Sequence, residues 1–293
     1  MKKTLLLFWI FISLEGTSQR GKVMDNLSFT ILGCGSSGGV PRLGGNWGDC
    51  DPTNRKNERS RCSLLVELNS MQGTTRVLID TSPDMRSQLL KANVGKLDGV
   101  VYTHEHADHV HGIDDLRMIF FNMRQRINVW ADTKTQEQLL QKFGYTFIQA
   151  DGSPYPPILE MSTIDGQFAI QGDGGEIVFN PFEVKHGTIT SLGFRINDVT
   201  YIPDISEMND DAWGQISKTN IWILDALRRT PHQSHTHLSQ SLEWIKKSGV
   251  KKGILTNMHI DMDYETLKNE LPENVEPAYD GMKITSSYPK TDE

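Results

Sequence analysis

The alternation of short apolar runs with helical patterns constrains the fold of this chain more than any other feature. Apolar runs near five residues long, rich in β-branched and aromatic side chains, predict strands. They cover 28–32, 62–68, 75–80, 99–103, 127–131, 176–184, 192–196, 199–204, 221–226 and 253–257. Helical patterns separate them over 83–92, 108–125, 133–144, 237–249 and 263–272. Because helices and sheets bury their apolar faces against each other, this order predicts a layered α/β fold.

One long segment interrupts this alternation. Residues 149–175 are rich in Gly, Pro and Asp, which predicts a surface excursion, either a lid over a site or a connecting loop. Neither a linker nor an internal repeat divides the remainder of the sequence. We therefore expect residues 24–293 to form a single domain.

The first 23 residues have the form of a secretory signal. A lysine pair precedes an apolar run from Leu5 to Leu14, which is too short to span a membrane. The alternative is an N-terminal extension upstream of a working chain that begins at Met24. The three cysteines form no even disulfide framework, and this favours the extension and a cytoplasmic location. The net charge of −7 disfavours a partner with a long nucleic-acid backbone.

Ionisable side chains crowd together at the end of the predicted strand 99–103. Four of the nine histidines lie within residues 104–111. His104 and His106 alternate and can point the same way, while Asp108 and His109 open the following helix. Imidazole nitrogen and carboxylate oxygen are ligands for cations such as Zn²⁺, and a cation offsets the cost of gathering them. Two pairs of ligands do not complete two metal sites, so this hypothesis requires further ligands elsewhere.

Three later side chains satisfy that requirement. His186, Asp204 and His259 each lie at or just past the end of a predicted strand, and such ends converge on one edge of an α/β sheet. A single histidine of this kind is more often structural than a ligand, but the clustering of the set favours a metal site. A carboxylate can bridge two cations, and Asp204 is the natural bridge. Two bridged metals activate a water molecule between them.

The H-x-H-x-D-H signature, followed by single His, Asp and His residues, resembles the metallo-β-lactamase superfamily. The resemblance extends from about Leu27 to the C-terminus, and it implies a four-layer αβ/βα sandwich. It implies one metal on His104, His106 and His186, and a second on Asp108, His109 and His259, with Asp204 shared between them.

Three further features bear on the substrate. The glycine-rich segment 33–41 follows the first strand, and Ser36, Ser37 and Gly38 are candidate phosphate contacts through their backbone N–H groups. The alternative for this segment is a tight turn that requires positive φ. His235 and His237 stand at the start of a predicted helix, as general acids or as a surface cap. Asp80 ends another strand and is a candidate to orient a ligand imidazole.

Together these features resemble the phosphoribosyl 1,2-cyclic phosphate phosphodiesterase-like group. The resemblance covers Gly33, Gly35, Gly39, Val40 and Pro41 of the glycine loop and the segment "AYDGM" near the C-terminus. It implies that His235 is the proton donor. Members with a structural zinc carry a cysteine cluster after the glycine loop. Only Cys50 stands there in this chain, so we expect no such zinc.

We therefore predict a metal-dependent phosphodiesterase with two divalent metals, Zn²⁺ first and Mn²⁺ or Fe²⁺ as alternatives. A metal-bridging hydroxide would hydrolyse a small nucleotide-like or phosphoribosyl cyclic phosphodiester, with Asp204, His235 and His237 as catalytic residues. The expected partner is a small-molecule phosphodiester or nucleotide, with no long nucleic acid and no membrane, and a homodimer is left open. The alternatives are a thioester or ester hydrolase of the hydroxyacylglutathione hydrolase type and a non-catalytic nucleotide-binding module.

Overall fold

Two seven-stranded sheets form the centre of the fold in a computed structural model that describes residues 26–288. The signal-like segment or extension predicted over residues 1–23 lies outside the described residues. The strands are β1 (Asn26–Gly33), β2 (Ser63–Asn69), β3 (Thr74–Ile79), β4 (Gly99–Val101), β5 (Ile127–Ala131), β6 (Leu159–Thr163), β7 (Phe168–Gly172), β8 (Gly175–His186), β9 (Ile189–Ile196), β10 (Val199–Ile202), β11 (Ile221–Asp225), β12 (Lys252–Thr256), β13 (Val275–Pro277) and β14 (Met282–Ser287). The first sheet has the order β14-β1-β2-β3-β4-β5-β6, and the second has the order β13-β12-β11-β10-β9-β8-β7.

Helices cover the outer faces of both sheets. They are α1 (Met85–Lys91), α2 (Ala107–Val110), α3 (Leu116–Met123), α4 (Thr133–Phe143), α5 (Asp210–Ile216), α6 (Leu238–Ser248) and α7 (Tyr264–Glu270). The helix predicted over 108–125 is divided at Gly112, where a Cβ atom would lie 2.1 Å from the Ser82 carbonyl oxygen. Within residues 26–288, no helix is long and apolar enough to cross a membrane.

The alternation of side chains along β1 shows how the layers are held together. Leu27, Phe29 and Ile31 pack between the two sheets, among side chains such as Phe179 and Phe194 of the opposite sheet. Leu32, Leu65 and Leu78 instead pack under the helices on the outer face of the first sheet. Successive residues of a strand point to opposite faces, so one strand can serve both apolar layers. The result is the predicted four-layer αβ/βα sandwich.

The prediction for residues 149–175 was wrong over two stretches of five residues each. The segment contains β6 and β7, which are the outermost strands of the first and second sheets. Each of them pairs with a single neighbouring strand, and most of their side chains are only partly buried or exposed. Strand pairing at a sheet edge tolerates this mixed composition, because cross-strand contacts rather than intrinsic preference hold it.

Parallel strand pairs bring the candidate functional residues to one edge of the sandwich. Strands β3, β4, β5 and β6 are parallel in the first sheet, and β10, β11, β12 and β13 are parallel in the second. The segments that leave their carboxyl ends therefore emerge on the same side. These segments begin at 80, 102, 203, 226 and 257.

Candidate metal centre

Three imidazole rings surround the carboxylate of Asp204. The Nε2 atoms of His104, His109 and His186 lie 3.3, 3.4 and 3.4 Å from Asp204 Oδ2. All four side chains are at most 2% exposed. Ligand atoms that share one tetrahedral zinc ion at Zn–N distances of about 2.0–2.1 Å lie about 3.3 Å apart. The spacing of these atoms therefore suits a shared cation.

Two buried nitrogen atoms of this cluster have no hydrogen-bond partner among residues 26–288. They are His104 Nε2 and His109 Nε2. Buried polar side-chain atoms nearly always have a partner, so an orphaned pair aimed at one carboxylate requires an explanation. Divalent cations that share Asp204 would accept these lone pairs and balance the charge of its carboxylate. The residues present therefore fit a metal site.

His106 completes the cluster at its solvent side. His104, His106, His186 and Asp204 each offer a ligand atom, and these atoms all lie within 4.8 Å of one another. His106 Nδ1 lies 3.1 Å from His186 Nε2, although the His106 side chain is exposed. His186 is oriented from behind by the Ser234 carbonyl oxygen, 2.6 Å from its Nδ1. That bond directs His186 Nε2 towards Asp204.

Asp80 lies behind His109, in the position expected from the sequence. Its Oδ2 atom is 2.8 Å from His109 Nδ1, and both side chains are fully buried. Thr103 donates to the same carboxylate from its backbone N–H and its hydroxyl, each at 2.8 Å. Burial raises the pKa of Asp80, while His109 and Thr103 oppose that shift. The arrangement fixes the His109 ring with Nε2 towards Asp204.

Asp108 and His259, the remaining predicted ligands, stand differently in the structure. Asp108 Oδ2 lies 3.6 Å from His109 Nε2 at the rim of the cluster. His259, like Asp108 and His109, is absent from both groups of potential ligands found within residues 26–288. Its Nε2 atom is hydrogen bonded to the guanidinium of Arg42, and its Nδ1 atom lies 3.2 Å from Asp261 Oδ1.

A second imidazole–carboxylate pair adjoins the cluster. His235 Nδ1 lies 2.8 Å from Asp225 Oδ2, and the His235 ring centroid is 4.6 Å from that of His186. Asp204, Asp225 and His235 form the second group of potential ligands. Burial lowers the pKa of His235, but the neighbouring Asp225 carboxylate outweighs it and raises the pKa to about 9. Burial raises the pKa of Asp225 to about 7.

Asp225 is the functional side chain that the sequence interpretation missed. It is the last residue of β11, inside the segment 221–226 that was predicted as a strand. The strand-end rule that selected Asp80 and Asp204 applies equally to Asp225. That signal was available, but no histidine motif stands next to it in the sequence.

His237 takes the alternative role considered for it, that of a helix cap. It is the N-cap residue of α6, and its ring accepts a hydrogen bond from the Gln240 N–H at 3.4 Å. The Ser239 hydroxyl lies 2.9 Å from the same Nδ1 atom. Nδ1 of His237 is therefore engaged in capping α6, and the catalytic role of this residue stays a prediction.

The glycine-rich segment is partly a tight turn. The Ser36 N–H bonds to the Met258 carbonyl oxygen, and the Gly39 N–H bonds to the Ser36 carbonyl oxygen. Ser36 is buried, and Gly39 has φ +64°, so these two residues serve the turn. Ser37 and Gly38 are exposed. The predicted phosphate contact of Ser36 is therefore not available to a ligand through its N–H group.

A buried arginine connects this loop with the segment that carries His259. Arg59 is 2% exposed, and its Nη2 atom donates to the Met262 carbonyl oxygen at 2.7 Å and to Asn57 Oδ1 at 3.2 Å. Its Nη1 atom lies 3.7 Å from Cys50 Sγ. Cys50, the one cysteine in the segment 46–54 that follows the glycine loop, therefore packs against a guanidinium group.

Comparison with known proteins identifies the family. The beta-lactamase superfamily domain matches residues 75–260. A solved diphosphatase of the PhnP family is 32% identical, with a TM-score of 0.78 over 89% of this chain and 97% of that chain. This similarity extends over nearly the whole of the solved structure.

Two curated relatives are longer than this chain. An octanoyltransferase of Porphyromonas gingivalis is 30% identical over 86% of this chain and 50% of its own length. A ribonuclease Z of Bradyrhizobium sp. is 27% identical over 57% of this chain and 49% of its own length. The chain thus spans about half the length of the curated relatives it matches. With its two-sheet sandwich and its His/Asp cluster, the chain belongs to the metallo-β-lactamase superfamily.

Proposed function

We propose that the chain is a dinuclear metal-dependent phosphodiesterase that acts on a small nucleotide-like or phosphoribosyl substrate. The observation that carries this proposal is the His235–Asp225 pair beside the His/Asp cluster, with 2.8 Å between His235 Nδ1 and Asp225 Oδ2. A hydrolase that expels an alkoxide gains from a positioned proton donor, whereas a thioester with its better leaving group needs one much less.

The metals would be held by the predicted ligands. His104, His106 and His186 would hold one, and Asp108, His109 and His259 the other, with Asp204 shared. When bound, such a pair activates water and polarises the phosphoryl oxygens. A site of imidazole and carboxylate without thiolate suits Zn²⁺, Mn²⁺ or Fe²⁺.

The residues of the chain supply orientation and proton transfer. Asp225 holds Nδ1 of His235, which leaves Nε2 of that ring as the atom that delivers a proton to the departing oxygen. Asp225 is fully buried, and the Ile205 N–H donates to its Oδ2 atom at 3.1 Å. The carboxylate therefore cannot rotate freely, and the His235 ring keeps its direction.

The comparisons support a small phosphorus-containing substrate. The PhnP-family relative is a diphosphatase and matches this chain at 32% identity over almost its whole length. The net charge of −7 argues against a long nucleic acid. We therefore include the diphosphate linkage with cyclic and linear phosphodiesters in the proposed substrate class.

The test is turnover by the purified, metal-loaded chain on matched substrates. Bis-p-nitrophenyl phosphate, a 2′,3′-cyclic nucleotide, a ribose 1,2-cyclic phosphate and a dinucleoside diphosphate represent the proposed class, and an acyl thioester represents the alternative. We expect hydrolysis of at least one phosphorus substrate and a loss of activity with a chelator. Hydrolysis of the thioester, with no hydrolysis of any of the phosphorus substrates, would contradict the proposal.

An acyl substrate is the second candidate because one curated relative is named an octanoyltransferase. The match covers half of that relative, so it does not assign acyl chemistry to the shared half. An octanoyl thioester is the appropriate probe for this alternative.

A further inference from the structure

The guanidinium of Arg42 has an unusual partner, the predicted metal ligand His259. Its Nη2 atom forms a hydrogen bond with Nε2 of His259, a proposed metal ligand. The ion pairs that arginines form with carboxylates within residues 26–288 involve Arg61, Arg76, Arg117 and Arg229 instead. A permanently charged guanidinium thus has an imidazole ring, not a carboxylate, as its partner.

The exposed turn of the glycine loop lies against the same side chain. A Cβ atom on Gly38 would come within 3.4 Å of Cγ and Nε of Arg42. The N–H groups of Ser37 and Gly38 form no hydrogen bond within the part of the chain that the structure describes, in contrast with those of Ser36 and Gly39. Unsatisfied backbone donors and a cation therefore stand side by side, which is the composition of an anion site.

The backbone around Arg42 is held in place. The Arg42 N–H bonds to the Asn46 carbonyl oxygen at 2.9 Å, and the Gly45 N–H bonds to the Arg42 carbonyl oxygen at 3.0 Å. Gly44 and Gly45 both have positive φ, as the tip of this hairpin requires. The Asp49 N–H bonds to the Ile260 carbonyl oxygen at 2.9 Å, which ties the hairpin to the segment that carries His259. The position of the guanidinium therefore follows from the fold.

We propose that Arg42 is a substrate-binding residue that holds phosphoryl oxygens once His259 binds a metal. The Nε2 atom of His259 has one lone pair, so a metal and the guanidinium compete for it. With His259 bound to a metal, the guanidinium of Arg42 would be free of this partner, and its planar set of donors matches a phosphate group. This inference rests on the proposed phosphodiester function, but it makes a separate claim about one side chain.

Arg42→Ala and Arg42→Lys test the inference, with Arg126→Ala as the matched control. Arg126 is exposed and precedes β5, at the edge of the sheet opposite the metal centre. The probe is inorganic phosphate, titrated calorimetrically into zinc-loaded protein, and metal content is measured for every variant. We expect Arg42→Ala to weaken phosphate binding by about tenfold or more, because a charge-assisted bond is lost.

Arg42→Lys should bind phosphate with intermediate affinity, since a lysine keeps the charge without the planar fork, and Arg126→Ala should match the wild type. Wild-type phosphate affinity in a fully metallated Arg42→Ala protein would overturn the inference. A loss of metal in Arg42→Ala would also overturn it, because the side chain would then support a ligand instead. If the wild type hydrolyses no phosphorus substrate, the proposed function fails, while the ratio of phosphate affinities still decides the role of Arg42.

Discussion

Replacement of Arg59 by methionine tests how the loops around the metal centre are held together. The substitution keeps an unbranched but shorter side chain in a buried position and removes the guanidinium. The Met262 carbonyl oxygen loses a donor at 2.7 Å. Asn57 Oδ1 loses its bond to Arg59 but keeps the Tyr264 N–H at 2.8 Å. The main cost is therefore one buried carbonyl oxygen without a partner.

The expected magnitude is the difference between two opposing contributions. A buried hydrogen bond from a charged donor contributes about 1.5–3 kcal/mol, and an unpaired carbonyl oxygen costs about 1–3 kcal/mol. Removal of the guanidinium also relieves its desolvation, and Nε of Arg59 has no partner to offset that penalty. We expect the free energy of unfolding to fall by about 2 kcal/mol, which corresponds to a Tm lower by roughly 4–8 °C.

Equilibrium unfolding in urea with a chelator present measures this change for the metal-free chain. Arg55→Met is the control, because Arg55 is exposed in the same loop and should change stability by less than about 0.5 kcal/mol. An Arg59→Met protein as stable as the wild type would show that desolvation of the guanidinium outweighs its hydrogen bonds. The role that we assign to Arg59 would then be wrong.

Three further predictions concern the side chains of Asp204, His235 and Asp280. Asp204→Asn should keep the fold but lose at least one metal, because three imidazoles lie within 3.4 Å of its Oδ2 atom. If metal analysis found unchanged occupancy, Asp204 would not be the bridging ligand. His235→Ala should lower kcat far more for a substrate with an alkyl leaving group than for one that releases p-nitrophenolate, with His237→Ala as control. An equal loss of kcat on the two substrates would indicate a structural role for His235. Burial raises the pKa of Asp280 to about 6, above its value of about 3.9 in the unfolded chain. Between these two values the native state binds more protons than the unfolded state, so the free energy of unfolding falls as pH rises from about 4 to 6. Asp280→Asn should lack this slope in urea unfolding measured at several pH values, and an unchanged slope would assign it to another group.

The layered architecture was predictable because its signals are local. Runs such as 75–80 and 127–131 are apolar, short and bounded by turn residues, and the structure places β3 and β5 there. The edge strands β6 and β7 and the short helix α5 were not predicted. The side chains of β6, β7 and α5 are mixed in polarity, so no apolar run marks them. β6 pairs with the distant β5, whereas β7 pairs with the adjacent β8 across Asp173 and Gly174, and this local turn signal was missed.

The candidate site was likewise predictable only in part. The histidine signature and the strand-end rule led to His104, His109, His186 and Asp204, which the structure brings together around one carboxylate oxygen. The position of Arg42 was not predictable, because no spacing rule relates a hairpin near residue 42 to a histidine 217 residues later. Only the packing of that hairpin against the segment around Ile260 brings the two side chains together.

The most direct test of the account is the metal content of the purified chain, measured together with its phosphodiester turnover. We expect about two divalent metals per chain and hydrolysis of a phosphorus substrate, with both removed by a chelator and restored by Zn²⁺ or Mn²⁺. Two bound metals without hydrolysis of a phosphorus substrate would support the metal centre but indicate an acyl substrate. A chain that binds no metal even after Zn²⁺ or Mn²⁺ is added would contradict the central claim.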